Sequence, residues 1–330
     1  MTRRALAGAG LVLAAAGATA GALAATRGTK PDPRAPAART DRWIPLRPAP
    51  LRRTEVAAAR IGGSIYVVGG FVPPGRTTAA VERYDIVRNR WTRGRSMPIG
   101  LNHAAAAAYA GRLYVVGGYA ASGGLTGEVS TLLRYDPRTD RWTRLPAAPT
   151  RRGALAAGVI GDRLYVAGGA HGGAPLRTLE VFDLRAGRWS RGPDMSVARE
   201  HLAGASAGGA FYVLGGRAAG RGNFTVAERF VPAHGRWERL PDLRRARGGI
   251  AAAVAAGGVV VFGGEEPSGT IRPVERYDPA RRRWTALPGM RTPRHGLGGA
   301  GLGRRVFALE GGVRPGFSFS TAVEALDVSR

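Results

Sequence analysis

The sequence predicts an all-β chain folded as a six-bladed β-propeller, with four antiparallel strands per blade and the ring closed by an N-terminal strand around Trp43. Three observations carry this. The six tryptophans stand at Trp43, Trp91, Trp142, Trp189, Trp237 and Trp284, at intervals of 48, 51, 47, 48 and 47 residues, and self-similarity at such a period marks a repeat architecture. Ten residues after each tryptophan comes Arg53, Leu101, Arg152, Arg199, Arg247 or Arg294, and sixteen residues later the first member of a glycine doublet, from Gly69-Gly70 to Gly263-Gly264, with Glu310-Gly311 as the sixth. Glycine numbers 51 of 330 residues, about twice the ordinary share of roughly 7 %, as a fold of many tight turns requires.

Taken in chain order, the first element is not part of the repeat. Arg3-Arg4 precedes an Ala/Gly/Leu run from Ala5 to Ala25 with small-residue Ala-x-Ala sites, the pattern of an export signal. The run is also long enough to stay as a membrane anchor over residues 5–25, although its alanine and glycine make it weakly hydrophobic. Residues 26–40 are rich in Pro, Ala and Arg without apolar periodicity and read as a linker. The organisation expected is therefore 1–25 signal or anchor, 26–40 linker and 41–330 propeller. The protein is expected outside the cytoplasm, extracellular or associated with the cell envelope, by the twin-arginine or the general route.

Each repeat then supplies four short β-type stretches. In the second they are Ala104 to Tyr109, Leu113 to Val116, Leu132 to Tyr135 and Arg141 to Arg144, four strands to a period of about 48 residues, as in a propeller blade. An Asp-led turn such as Asp136-Pro137-Arg138 joins the last two, where Asp and Pro suit the opening positions of a β-turn. The doublet, an aromatic seven residues before the tryptophan (Tyr84, Tyr135, Phe182, Phe230, Tyr277) and the tryptophan itself resemble the Kelch repeat, over residues 41–330 and in six in-phase copies. Local departures are Leu101 for arginine, Glu310 for glycine and Val260 for the aromatic of the second strand. The last unit ends near Val328 without a tryptophan strand, and Trp43 has no strands before it, so the N-terminal strand is expected to complete the blade begun at His295. Closure removes an open sheet edge.

One repeated charge pair explains itself by its exception. Two residues before each third-strand aromatic stands Glu82, Glu180, Glu228 or Glu275, with Glu324 in the sixth copy and Leu133 in the second. The one repeat lacking the glutamate also lacks the arginine, so Arg53, Arg152, Arg199, Arg247 and Arg294 are expected to meet these glutamates inside the blades. A buried ion pair can be exchanged whole for packed apolar residues, whereas removing one partner is costly.

Function is expected on the loops after the doublets, which vary in length while the rest of the repeat is constant. Their aromatics are Phe71, Tyr119, Phe224, Phe317 and Phe319. Their arginines are Arg76, Arg177, Arg217, Arg221, Arg272 and Arg314. Aromatic faces with guanidinium groups suit a protein, a glycan or an anionic envelope polymer. Of five histidines, His103, His201 and His295 lie near the arginine register, but separation of nonadjacent blades weighs against their joining in a metal site; no metal and no cofactor are expected. Glu128, Glu265 and Glu266 are the loop acids without a structural role, and nothing in the sequence pairs them. The absence of cysteine excludes disulfides, thiolate ligands and cysteine nucleophiles. The resemblance also brings in copper radical oxidases of the galactose oxidase type, whose tyrosine–cysteine crosslink cannot form here, and sialic acid mutarotases, which remain the enzymatic alternative to a binding module. The formal charge of +26 is almost wholly arginine, only Lys30 being a lysine. It is spread over all blades instead of gathered in a stripe, so no nucleic-acid partner is expected, the membrane is met only through the N-terminal segment, and the protein is read as a monomer.

Overall fold

A computed structural model describes residues 42–329; the expected signal and linker lie outside the described residues. Those residues form six antiparallel blades, each of four strands in order with a short fifth strand, Gly269–Thr270, added to the fifth blade, together with three two-stranded loop ribbons and, among them, no α-helix. The first blade comprises Ala57–Ile61, Ser64–Val68, Val81–Asp85 and Arg90–Gly94, and the second Ala105–Tyr109, Arg112–Val116, Leu132–Asp136 and Arg141–Leu145. The third, fourth and fifth repeat the same order. In the sixth, Gly298–Leu302, Arg305–Leu309 and Val323–Asp327 are completed by Ile44–Pro45, with Ile44 opposite Ala325 and Pro45 opposite Glu324. Inner strands of successive blades touch all around the axis, the first against the sixth included. The apolar core lies between blades, each cluster taking residues from two neighbours, as where Tyr114 and Leu132 of one blade meet Leu164 and Phe182 of the next.

The tryptophans join the blades at the rim. Each indole Nε1–H donates to the backbone carbonyl four residues after the preceding tryptophan: Trp91 to Arg47 at 3.0 Å, Trp142 to Arg95 at 2.8 Å, Trp189 to Pro146 at 2.9 Å, Trp237 to Pro193 at 2.8 Å, Trp284 to Pro241 at 2.7 Å and, closing the circle, Trp43 to Pro288 at 2.9 Å. The spacing of the repeat is thus the reach of one hydrogen bond. Nearer the axis the doublets do the same. The N–H of each second glycine donates to the carbonyl of the next blade's register residue, from Gly70 to Leu101 at 2.8 Å to Gly311 to Arg53 at 3.0 Å. A Cβ on Gly69 would lie 2.1 Å from the Leu101 carbonyl oxygen, inside any tolerable contact, and the backbone there is left-handed at φ 64°, which glycine adopts without strain.

The register arginines are fully buried, and each meets the glutamate of its own blade: Arg53–Glu82 at 2.9 Å, Arg152–Glu180 at 2.8 Å, Arg199–Glu228 at 2.9 Å, Arg247–Glu275 at 2.7 Å and Arg294–Glu324 at 3.1 Å. In Arg53, Arg152 and Arg247 the Nη1 group also donates to the carbonyl of the first doublet glycine and to one just before the third strand, as Arg53 does at Gly69 and Ala80, while Arg199 and Arg294 use Nη2 to reach the carbonyls of Val213 and Ala308. Burial lowers Arg199 and raises Glu82, the opposite charges offsetting this only in part. In the second blade Leu101 and Leu133 are both fully buried in one apolar cluster.

Candidate functional site

The site is built on a ring of backbone at the axis. Two residues after the register arginine the chain is left-handed in all six copies: Glu55 (φ 53°), His103 (50°), Ala154 (54°), His201 (54°), Gly249 (68°) and Gly296 (56°). These residues hydrogen-bond one to the next around the axis, His103 N–H to the Glu55 carbonyl at 3.1 Å, then Ala154 to His103, His201 to Ala154, Gly249 to His201 and Gly296 to Gly249 at 2.8–2.9 Å, and Val56 N–H to Gly296 at 3.2 Å completes the turn. Glycine is the undemanding residue at such a position, and a side chain there costs roughly 1–2 kcal/mol. Three copies keep a large one: Glu55, His103 and His201.

Because Ala154, Gly249 and Gly296 are small, those three side chains fill the middle. The His103 and His201 rings, on second and fourth blades, meet edge to face with centroids 4.8 Å apart. Contrary to the expectation from the repeat, side chains of these nonadjacent blades join at the ring, because Ala154 of the intervening blade leaves the space. His103 Nε2 lies 3.1 Å from Glu55 Oε2, and His295 Nδ1 lies 3.1 Å from Glu55 Oε1 and 3.5 Å from Glu265 Oε2. Glu200 contacts His201 Nδ1. Arg217 bridges Glu200 at 3.1 Å and Glu265 at 2.8 Å. Glu265 is thus paired, contrary to the expectation that nothing in the sequence would pair it, and its Oε2 also accepts from Gly316 N–H. Glu128 accepts from Gly172 N–H and Glu266 pairs with Arg245, both away from this cluster.

Burial raises Glu55, but His103, a hydrogen bond from His295 and the neighbouring His201 outweigh it and hold the carboxylate well below its usual range. Burial pushes His103 down to about 3 despite Glu55 and Glu200. Burial also works against the charged form of His295, but the hydrogen bond to Glu55, the Glu55 and Glu265 charges and the Arg314 carbonyl reverse this and raise it. Its Nε2–H donates to that carbonyl at 3.1 Å, so both His295 nitrogens face acceptors, an arrangement that favours the charged ring. The cluster is the floor of a cavity of about 160 Å³ opening to the loop face, walled in part by Phe71 and lipped by Leu125 and Phe317. Glu55, His103 and His201 also line a cavity of about 80 Å³ on the tunnel side; they separate the two.

Of the loop aromatics and arginines expected to carry function, three reach this cavity. Phe71 is buried, edge-on to His103 at 5.7 Å and to Phe317 at 5.2 Å. Phe317 is 54 % exposed at the lip, and Arg217 stands in the wall. Tyr119 is buried against His103 at 5.6 Å as support. The rest do not converge. Arg177 pairs with Asp194 at 3.2 Å, Arg272 donates to the Met290 carbonyl at 2.8 Å, and Arg221 lies over Phe224 at 5.2 Å. Arg76 and Arg314 are exposed and Phe319 half-buried. Glu55 and Glu200 went unread in the sequence. The signal for Glu55 was the register shared by His103 and His201, two residues past the arginine; that for Glu200 was its place beside one of them.

Residues 55–240 match the family model described as KLHDC2/KLHL20/DRC7 Kelch-repeats domain, and residues 246–291 match the Kelch motif. No curated protein shows significant similarity to the chain. Among solved structures, one titled "Structure of YjhT" is similar over 84 % of this chain and 95 % of its own, with a TM-score of 0.73 and 16 % identity.

Proposed function

The chain belongs to the Kelch-repeat family, and on that footing we propose that it is an exported propeller whose axial cavity takes a small neutral polyhydroxylated ligand, a sugar, and serves proton transfer on it. One observation carries the reading: carboxylates, imidazoles and a guanidinium converge beneath an aromatic and aliphatic lip in a single cavity on the loop face. Small-molecule sites combine an apolar wall with a few convergent polar groups in this way, and an acid and a base within hydrogen-bond reach of one ligand is the requirement for acid–base work. A purely binding role for the loop face has less support, because its arginines are largely spent on partners within the fold. Arg217 is shared between Glu200 and Glu265, which leaves it little to offer a carboxylate and favours a neutral sugar over an acidic one. Export rests on residues 1–25 alone.

The test is ligand-observed NMR with neutral hexoses, amino sugars and acidic sugars, together with the rate of anomer interconversion. The expected result is binding of a neutral sugar that weakens at least about tenfold in Phe317→Ala, equivalent to about 1.4 kcal/mol. Preference for the acidic sugar, or equal binding by wild type and Phe317→Ala, overturns the assignment.

A further inference from the structure

We propose that Glu55, His103 and His201 form a three-ligand site for a divalent transition metal, with its open position toward the axial cavity. This goes beyond the sugar reading and stands whether or not a sugar binds. Each of the three residues offers one ligand atom, and these atoms all lie within 4.8 Å of one another. The 3.1 Å from His103 Nε2 to Glu55 Oε2 is already close to the edge of a tetrahedron with metal–ligand bonds of about 2.0 Å, roughly 3.3 Å. Two imidazoles and one carboxylate with a vacant place is a donor set suited to zinc and its first-row neighbours, not to calcium or magnesium.

The hydrogen bonds behind the ligands argue independently for the same site. The Asn102 amide nitrogen donates to Thr77 Oγ1 at 2.8 Å and to the carbonyls of Tyr119 and Ala121 at 3.0 and 3.1 Å. Its orientation is thereby fixed, so its Oδ1, 2.7 Å from His103 Nδ1, must accept a hydrogen bond from that nitrogen. That leaves Nε2, 3.1 Å from a Glu55 carboxylate oxygen, as the nitrogen turned toward the carboxylate, placed to share a bound cation with it or, without one, to carry a second ring proton. His201 is held in the same manner, Nδ1 to the Glu200 carboxylate, which leaves its Nε2 as the donor. Metal-ligating histidines are oriented by an acceptor on their other nitrogen in this way. Backbone cost points to the same residues, because Glu55, His103 and His201 are the three large side chains kept on the left-handed ring while the other copies hold Ala or Gly.

The experiment is isothermal titration of zinc chloride into the full chain after chelator dialysis, repeated with cobalt to read the visible ligand-field bands. We expect one ion per chain, affinity falling at least about tenfold in His201→Ala and in Glu55→Gln, and by about 10–100-fold in Asn102→Leu through loss of the orienting acceptor. His201→Ala should fold, because Ala154 occupies the same ring position at φ 54°; a melting transition checks this. His171→Ala and His234→Ala, both exposed, should bind as wild type does. Absence of stoichiometric binding, equal affinity in folded His201→Ala, or a His103 ring that NMR finds protonated on both nitrogens in zinc-saturating solution overturns the site. Sugar binding measured in the chelator-treated protein separates this outcome from that of the preceding proposal.

Discussion

Glu310 occupies the register where five other copies have the first glycine of the doublet, and it keeps that residue's left-handed backbone at φ 56°. It is buried, and it grips Arg53 through two contacts, Nε to Oε2 at 2.7 Å and Nη2 to Oε1 at 2.8 Å, while the same guanidinium holds Glu82 at 2.9 Å. Two carboxylates thus share one arginine without solvent. Burial pushes Glu310 up to about 7; Arg53 and, more weakly, Arg294 oppose this and Glu82 reinforces it. The native state therefore binds a proton at Glu310 more tightly than the unfolded chain, whose carboxyl stays near 4.5. The stability this protonation contributes is complete below the unfolded value and is lost as pH rises through about 7, because stability falls with pH wherever the native state holds the extra proton. Glu310→Gln removes the titration and keeps the shape. Urea unfolding of the two proteins between about pH 5 and 8 should show wild type losing stability relative to Glu310→Gln across that window. A difference independent of pH would mean that Glu310 is ionised throughout.

At the scale of the blade, the informative element is the second, where Leu101 and Leu133 replace the buried arginine and glutamate and pack into the same apolar cluster. Leu101→Arg places an unpaired charge where Leu133 offers nothing, and the expected loss is about 3–5 kcal/mol, the usual cost of an orphaned buried charge. Leu101→Arg combined with Leu133→Glu should recover much of it, with the shortfall read from a double-mutant cycle in denaturant; simply additive penalties would show that the two positions do not communicate. This element was legible in the sequence because the two residues change together in one repeat. The strands were legible because tryptophan, doublet and aromatic recur at fixed distances. The axial ring was not, because its defining property is a backbone conformation, and the residues adopting it are glutamate, histidine, alanine and glycine. His103 and His201 showed the register, yet nothing in the spacing indicated that Ala154 would let them touch across an intervening blade. Phe71 and Tyr119 look alike as loop aromatics, and their burial against His103 depends on how the loops fold back, which their composition does not encode.

For the molecule as a whole, three closed circuits of hydrogen bonds lie at different distances from the axis: the left-handed ring, the glycine doublets reaching the next blade, and the tryptophan indoles at the rim. The N-terminal strand belongs to the outermost. Trp43 donates to Pro288, Arg47 accepts from Trp91, and Ile44–Pro45 covers the edge of Val323–Asp327. Trp43 is also 3 % exposed and lies against Phe262 with centroids 5.7 Å apart, so it fastens the fifth blade to the sixth as well as completing the latter. Removing residues 42–47 cuts two of the rim bonds, empties a tryptophan-sized site and bares a strand edge able to pair with another chain. The cost should be at least that of truncating one buried tryptophan, about 3–5 kcal/mol. Because every blade is braced by both neighbours, the loss should appear as one cooperative transition at a lower urea midpoint, not as a separate early melting of the sixth blade, and the truncated protein should self-associate on size exclusion. Trp43→Ala in the full chain should reproduce most of the midpoint change without the association, since Ile44–Pro45 would still cover the edge. An unchanged midpoint after truncation, or two resolved transitions, would mean that the circuits do not share strain around the ring and that the N-terminal strand is an ornament on a five-and-three-quarter-bladed fold already complete without it.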